Sequence, residues 1–326
     1  MEGKGPVILE QKPKLGISAC SMKCPVRYNA KGFDLLAHLG REKNDFIWTP
    51  VCPECQAGLG VMRDPIHLSG GNGTDVWSGE ASVKNRFGRD VTEEVKEGSL
   101  QSLKVLERAG VKAFVYMDGS PTCGVYRTTL KKQNRGKPPG VFGALLYEKG
   151  FFLIPALDMQ SPLRWWDWRR CLLAFLWLQD VKIEDRSDLY AIWYRLKFIC
   201  QELDNVKARQ LGHEIAQWTG KLLAEQTESF RSQISDLLRT PSSAARMTNS
   251  LWKNYSHYRK VTGLEIPEIK SPDQLRNITT IAREMLLMER AAAETDIVFG
   301  TSPVLYSGRK KRNSDLTADN LPSAAD

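Results

Sequence analysis

The chain has 326 residues, 42% of them hydrophobic and 26% charged, a composition typical of a soluble globular protein of about two domains. The longest strongly apolar run, Cys171–Leu178, is much shorter than the roughly 20 residues that cross a bilayer, and Met1–Lys14 lacks the apolar core of a signal peptide. These features predict a cytosolic protein with no membrane partner, while the net charge of +8 is compatible with nucleic acid.

The cysteine content predicts reduced thiols. Seven cysteines are an odd number and too few for a disulfide scaffold in a chain of this length. Metal ligands or nucleophiles are therefore expected, although a free cysteine is also often a small buried apolar residue.

Apolar runs in the first half predict short strands that end at cysteines. Leu15–Ala19 is followed by Cys20, and Phe46–Val51 is followed by Cys52, with one or two helical turns predicted between them at Phe33–Leu39. A glutamate and two glycines closely follow the second strand. Such a loop at a strand end is where chemistry concentrates.

A glycine-rich stretch and a long helix come next. His67–Gly79 contains turn-forming residues and is predicted to be a loop over the site or at its edge. The helix is predicted to begin within Gly88–Thr92, where Asp90 or Thr92 can cap its free amides, and to run through Ala109.

A third strand is predicted at Val111–Met117. It leads into the sequence DGSPTCG, whose serine, proline and glycines indicate a tight turn that carries Cys123. The other elements predicted in this half are a basic loop, a helix and a last strand, at Arg127–Lys137, near Val141–Lys149 and at Phe151–Ala156.

Strands separated by helices predict a parallel sheet covered on both faces. Ligands of such sheets bind beyond the carboxyl ends of the strands. Cys20, Cys52 and Cys123 each follow a different predicted strand, so we expect the three thiols to converge at one edge. Three thiolates suit an iron–sulfur cluster or zinc, and leave one metal position open to a substrate.

Motifs in a fixed order carry a family resemblance. They are SAC at 18–20, PVRYNAKG at 25–32, PVCPE at 50–54, AGLGV at 57–61, RDPI at 63–66, GRDVT at 88–92, SPTCG at 120–124 and KPPG at 137–140. Over residues 14–158 the chain closely resembles the thiouracil desulfidase family. We therefore expect an α/β fold, with a Rossmann-like parallel sheet domain at 14–158 and a second, all-α domain after it.

The resemblance also implies roles for site residues. In that family three cysteines hold a [4Fe–4S] cluster whose fourth iron binds the sulfur of a thiolated pyrimidine, and by motif the ligands are Cys20, Cys52 and Cys123. The implied general base is Glu54 of the CPE motif, and Ser120 is implied to hydrogen-bond the base or the water. The implied reaction is hydrolysis without net redox, with the sulfur leaving as hydrosulfide.

Some residues depart from the family pattern. Cys24 and Cys55 are extra, Met62 stands where a proline is usual, and Lys23 replaces a usual glycine. Cys24 and Cys55, together with the first two motif cysteines, resemble a four-thiolate structural zinc site, and the CxxC pair at 52 and 55 can also be redox active. Neither alternative explains the cysteine in the SPTCG turn.

Four further motif residues are candidate substrate contacts. Arg27, Tyr28 and Lys31 can orient an oxygen or phosphate of the substrate, although these types are also common in surface loops. Arg63 can pair with a carboxylate or a phosphate, and the sequence leaves both open. Asp90 is interpreted as a helix cap rather than a catalyst.

After Pro155–Pro162 the chain becomes helical and polar. Residues 159–185 are predicted to be a connecting helix or linker, with a helix start at Ser161. Their RWWDWRR stretch at 164–170 can stack on bases and neutralise phosphates, but such an aromatic stripe favours interdomain packing. A mobile tail with GRKKR at 308–312 is predicted over residues 293–326.

Residues 186–292 are predicted to form a helical domain that binds tRNA. It weakly resembles the helical domain fused to bacterial desulfidases of this family that convert 4-thiouridine in tRNA to uridine. Single histidines at 213 and 257 are interpreted as packing or surface residues. The predicted helices are Ser187–Gln201, Val206–Leu223, Glu228–Leu238, Thr240–Tyr258 and Gln274–Ala293.

Two classes of function follow. The first is a [4Fe–4S]-dependent desulfidase of thiolated uracil, acting on 4-thiouridine in tRNA or on free thiouracil only. The second is a nucleic-acid-binding protein that is stabilised by zinc and has no catalytic activity.

Overall fold

The computed structural model describes residues 5–128 and 137–306. Its strands are β1 (Val7–Leu9), β2 (Lys14–Ser18), β3 (Ile47–Val51), β4 (Ile66–Ser69), β5 (Ser82–Asn85), β6 (Ala113–Tyr116), β7 (Phe152–Pro155) and β8 (Val304–Tyr306). Its α-helices are α1 (Pro53–Gln56), α2 (Gly73–Ser78), α3 (Thr92–Arg108), α4 (Val141–Glu148), α5 (Pro162–Asp180), α6 (Arg186–Leu203), α7 (Asn205–Gln217), α8 (Ala224–Leu238), α9 (Ala244–Thr262) and α10 (Ile278–Glu294).

The central sheet has the strand order β3-β2-β6-β7, and every neighbouring pair is parallel. Apolar side chains on both faces of these strands are buried, among them Ile17 and Ile154 on one face and Phe114 on the other. Such continuous apolar strands suit a sheet that is covered on both sides. The predicted α/β class and the parallel sheet are therefore confirmed.

Helices cover both faces of this sheet. Leu106 of α3 and Phe142 of α4 pack with Phe114 of β6 on one face. On the other face, α5 brings Trp168 and Phe175 against Phe152 of β7, with ring centroids 5.8 and 5.3 Å apart. Helix α5, which lies in the segment predicted to connect the two domains, therefore packs as a layer of the sheet domain.

The tryptophans of the RWWDWRR stretch belong to the core. Trp165, Trp166 and Trp168 are only 4%, 2% and 2% exposed. The predicted packing role is confirmed, and base stacking by these rings is wrong because their faces are covered by protein. The predicted helix start is also confirmed, since the Ser161 hydroxyl accepts from the backbone amide of Arg164.

One prediction in the first half is shifted and one is wrong. The helical turns expected at Phe33–Leu39 are present as a 3₁₀ segment at Leu36–Asp45 that is kinked at Gly40. The loop expected at His67–Gly79 contains β4, which pairs antiparallel with β5, and α2 between them. A capping box between Asn72 and Asp75 stabilises the N-terminus of α2, although the residues of this stretch are typical of turns.

Helices α9 and α10 form a further core with α5, whereas α6, α7 and α8 share the core of the central sheet. Leu163 and Trp166 of α5 join Met247 and Tyr255 of α9 and Met285 of α10. The predicted helices are present with shifted ends: α7 ends and α8 begins earlier than predicted, for example. Among the described residues, none of the helices combines the length and apolar character that a bilayer crossing requires.

The mobile tail predicted at residues 293–326 begins within the folded part of the chain. Residues 304–306 form β8, which pairs in parallel with β1 near the other end of the chain. Phe299 and Val304 are 1% and 0% exposed, so this segment is held by burial as well as by the strand pairing. The GRKKR motif and most of the predicted basic loop, residues 129–136, lie outside the described residues.

Candidate active site

Three cysteines meet at one edge of the central sheet. Cys52 directly follows β3, Cys20 lies in a 3₁₀ turn directly after β2, and Cys123 lies in the turn after β6. Because β3, β2 and β6 are neighbouring parallel strands, their carboxyl ends lie at the same edge. The strand-end placement predicted for the three thiols is confirmed.

A short helix carries both a thiol and the carboxylate. Cys52 is the N-cap of α1, Pro53 is its first residue and Glu54 lies in its first turn. Proline is favoured at this position because its missing amide would have no helical partner. The turn after Cys52 therefore places Glu54 on the same edge as the thiols.

Serine hydroxyls shape the turn of Cys123. The Ser120 Oγ accepts hydrogen bonds from the backbone amides of Thr122 and Cys123, at 3.2 and 3.0 Å. The Ser18 Oγ accepts from the backbone amide of Met117 at 3.0 Å, and its hydroxyl opposes the rise in the pKa of Cys123 that burial causes. Ser120 thus holds the turn through its lone pairs, and its own O–H can still donate.

Burial makes these thiols hard to ionise. It raises the pKa of Cys20 to about 11, against the opposing effect of Arg27, and it raises the pKa of Cys52 and of Cys123 well above the usual value. The Cys52 and Cys20 thiolates raise the pKa of Cys123 further, and Glu54 acts on all three in the same direction. The three thiols and the carboxylate therefore lie within electrostatic range of one another.

The Glu54 carboxylate is fixed at both oxygens. Arg63 donates to its Oε2 from Nε at 2.9 Å and from Nη2 at 2.5 Å. The Thr122 hydroxyl donates to its Oε1 at 3.0 Å. The turn that carries the third thiol therefore also holds the carboxylate, a contact that sequence reasoning missed although Thr122 stands next to Cys123 in the SPTCG motif.

Arg63 ties three loops together. Its Nη1 donates to the backbone oxygens of Val26 and Gly60, at 2.9 and 2.7 Å, in addition to the Glu54 pair. Burial alone would lower the pKa of Arg63, but the Glu54 carboxylate raises it above its usual value. Of the two partners that the sequence left open, carboxylate or phosphate, the structure shows a carboxylate.

The extra cysteines occupy different surroundings. The Cys55 and Cys52 thiols both point at the backbone oxygen of Val26, at 3.7 and 4.0 Å. The Cys24 thiol instead points at the backbone oxygen of Met22. Cys55 is therefore beside the site and adjacent to one of its three thiols.

The predicted substrate contacts lie on the loop that follows the first thiol. Arg27 is close enough to act on the Cys20 thiol, and its guanidinium lies 4.8 Å from the Phe33 ring centroid and 5.8 Å from that of Tyr28. Tyr28 is 41% exposed and Lys31 is exposed. Of these three candidate substrate contacts, Arg27 is the one that acts electrostatically on a thiol, that of Cys20.

The thiols at this edge are the type of ligand that an iron–sulfur cluster takes, because a cluster requires soft sulfur ligands. Cys20, Cys52 and Cys123 are of that type. Among the residues that the structure describes, no three Cys, His, Asp or Glu side chains lie close enough together to hold one metal ion.

Comparisons with known proteins indicate the family of the first half of the chain. Residues 15–157 match the family model described as 2-thiouracil desulfurase. The uncharacterized protein YbbK of Bacillus subtilis (strain 168) is 31% identical over 153 residues, which are 45% of this chain and 98% of that protein. A solved structure, the [4Fe-4S]-dependent thiouracil desulfidase TudS, shares 27% identity over 44% of this chain and 91% of its own, with a TM-score of 0.36.

The family match gives the class of protein, a thiouracil desulfidase, and its α/β domain carries thiols and a glutamate at the carboxyl edge of the parallel sheet. The chain belongs to the 2-thiouracil desulfurase family.

Proposed function

We propose that this protein is a [4Fe–4S]-dependent desulfidase that hydrolyses 4-thiouridine in tRNA to uridine and releases hydrosulfide. The observation that carries the proposal is the meeting of Cys20, Cys52 and Cys123 beside Glu54 at one sheet edge. The three thiols would hold the cluster, which when bound supplies a Lewis acid for the thiocarbonyl sulfur.

The chain's own residues manage the water and the proton. Glu54 takes a proton from the attacking water and later returns one, so that the carbon–sulfur bond is replaced by a carbon–oxygen bond with no electron transfer. Arg63 and Thr122 hold the carboxylate in one orientation through three hydrogen bonds. Ser120 can donate its O–H to the water or to the substrate, because its lone pairs already accept from the turn.

A nucleic-acid substrate is supported by the net charge and by the loop that follows the first thiol. The chain carries a net charge of +8, and phosphate contacts draw on such an excess of Lys and Arg. The loop with Arg27, Tyr28 and Lys31 lies beside the thiols and combines cations with an exposed ring, which suits a nucleotide better than a free base. A desulfidase of free thiouracil alone would need neither feature.

Anaerobically purified protein tests the proposal. We expect about four irons and four sulfides per chain, the content of one cluster. Loss of the 4-thiouridine absorbance in tRNA should accompany hydrosulfide release in equal amount. If the protein turns over free thiouracil but leaves 4-thiouridine in tRNA unchanged, its function is limited to the free base. One zinc per chain and no turnover would favour the nucleic-acid-binding alternative.

A further inference from the structure

A large groove lies in the helical half, apart from the thiols. It is lined mainly by α6, α9 and residues 295–301, and its volume is about 1940 Å³. Sites for small molecules typically measure about 300–1,000 Å³. The groove therefore suits a segment of a polymer better than a metabolite.

Aromatic rings stand exposed in this groove. Tyr194 and Phe198 on α6 line the groove and are 61% and 50% exposed. The Nζ of Lys197 lies 4.6 Å from the first ring centroid and 4.9 Å from the second. Rings beside a cation are a surface on which unpaired bases stack.

Positive charge exceeds negative charge along the groove wall. The cations are Lys182, Arg195, Arg209, Arg246 and Lys253, against the carboxylates Asp188, Glu202 and Asp296. Glu202 is already paired with the buried Arg170 at 2.6 Å. Arg246 and Arg209 donate to neutral oxygens, those of Leu203 and Asn205, so their charge is available to a phosphate.

We infer that this groove binds an unpaired RNA segment outside the reacting nucleotide. Bases in a duplex are already stacked on each other, whereas unpaired bases can lie on Tyr194 and Phe198 while their phosphates face the cations. The inference rests on the proposed function only in taking the polyanion to be RNA. It makes the groove a second contact that positions a long substrate, with no part in the chemistry.

The test uses the full-length, cluster-loaded protein and a fluorescein-labelled, unstructured 12-nucleotide RNA without thiouridine. Fluorescence anisotropy over a series of KCl concentrations gives the affinity and its salt slope. Tyr194→Ala should weaken binding about ten-fold with an unchanged slope, because it removes stacking. Lys253→Glu should weaken binding and reduce the slope by about 0.7 or more, because it removes a phosphate contact. Arg283→Glu is the charge control, since Arg283 is exposed on α10 and does not line the groove.

Wild-type affinity in both groove variants would overturn the inference, as would an equal loss in Arg283→Glu. A duplex of the same length that binds as tightly, with the same loss in Tyr194→Ala, would overturn the assignment to unpaired RNA. All variants should keep wild-type turnover of free thiouracil. If the wild type converts no thiolated substrate yet binds RNA through the groove, the proposed function fails and this inference stands. If the wild type converts tRNA and the groove variants bind RNA and turn over as the wild type does, the proposed function stands and this inference fails.

Discussion

Individual thiols at the sheet edge differ in what their positions allow. Cys20, Cys52 and Cys123 follow three neighbouring strands, whereas Cys55 lies within α1 and Cys24 faces the backbone. We predict that replacing any one of the first three by serine abolishes cluster binding, because a hydroxyl is a poor ligand for iron in such clusters. Iron and sulfide content and visible absorbance of anaerobic protein measure the effect.

Cys24→Ser and Cys55→Ser are the matched controls, and both should keep the cluster. The opposite pattern, with metal lost in the two controls and kept in Cys123→Ser, would contradict the ligand assignment and favour zinc.

The Glu54 side chain should affect turnover without affecting the cluster. Glu54→Gln keeps the shape and removes the proton acceptor, so turnover should fall by about 10²–10⁴-fold, the usual contribution of general acid–base catalysis. Iron content should stay at the wild-type level. Steady-state hydrosulfide release measures the first quantity, and near-normal release would exclude Glu54 as the base.

Thr122 is a positioning residue that the motif alone did not reveal. Its hydroxyl donates to the Glu54 carboxylate at 3.0 Å, and hydrogen bonds to charged groups contribute about 1.5–3 kcal/mol. Thr122→Val removes this bond at nearly constant volume, so kcat should fall about ten-fold or more while KM changes little. Thr122→Ser keeps the hydroxyl and should restore the rate. Equal rates in the two variants would show that the bond does not orient the base.

At the level of secondary-structure elements, the site depends on how closely α3 approaches α1. A Cβ added to Gly98 of α3 would overlap the backbone oxygen of Pro53 and lie 2.5 Å from the backbone nitrogen of Ala57. Gly98→Ala should therefore lower the free energy of unfolding by about 1–3 kcal/mol, as overpacking does, and outweigh the gain in helix propensity. It should also reduce iron loading, because α1 carries Cys52 and Glu54.

Urea denaturation of the variant, compared with Gly212→Ala, checks this prediction. A Cβ at Gly212 of α7 would meet its nearest atom, on Trp193, at 3.4 Å, which is ordinary contact. That control should be neutral or slightly stabilising, since alanine favours a helix more than glycine does. Equal stability of the two variants would mean that α1 moves freely away from α3.

Elements with a strong local signal could be predicted, and long-range contacts could not. β2, β3 and β6 are apolar runs, so their positions and the three thiols after them followed from the sequence. β1 and β8 are three-residue strands from opposite ends of the chain, and neither is stable without the other. The pairing of Arg63 with Glu54 could not be predicted either, because it depends on the conformation of the loop that carries Arg63. That guanidinium also reaches backbone oxygens of other loops.

At the level of the whole molecule, α5 belongs to both halves. Its Phe175 packs on the sheet, and its Arg170, 0% exposed, pairs with Asp167 and with Glu202 of α6, each at 2.6 Å. Arg170 also donates to the backbone oxygen of Thr301, before β8. Burial alone would lower the pKa of Arg170, but Glu202 and Asp167 raise it. One buried cation thus joins segments that are far apart in the sequence.

We predict that Arg170→Met lowers the free energy of unfolding by about 3–5 kcal/mol, because it leaves Asp167 and Glu202 buried without a counter-charge. The loss should affect the sheet domain and the helical half together, since α5 contacts both. Urea transitions followed by tryptophan fluorescence and by far-UV circular dichroism should shift together to lower urea concentration.

Two comparisons separate the effect of unpaired buried charge on stability from the effect of lost packing. Adding Asp167→Asn and Glu202→Gln to Arg170→Met removes the unpaired charges and should recover part of the stability, because neutral amides are less costly to bury. Lys112→Met breaks an exposed ion pair with Asp180 and should cost less than about 1 kcal/mol. If Arg170→Met unfolds in two separate transitions, with only the helical transition shifted, then α5 does not couple the halves and the sheet domain is stable without the ion pairs of Arg170.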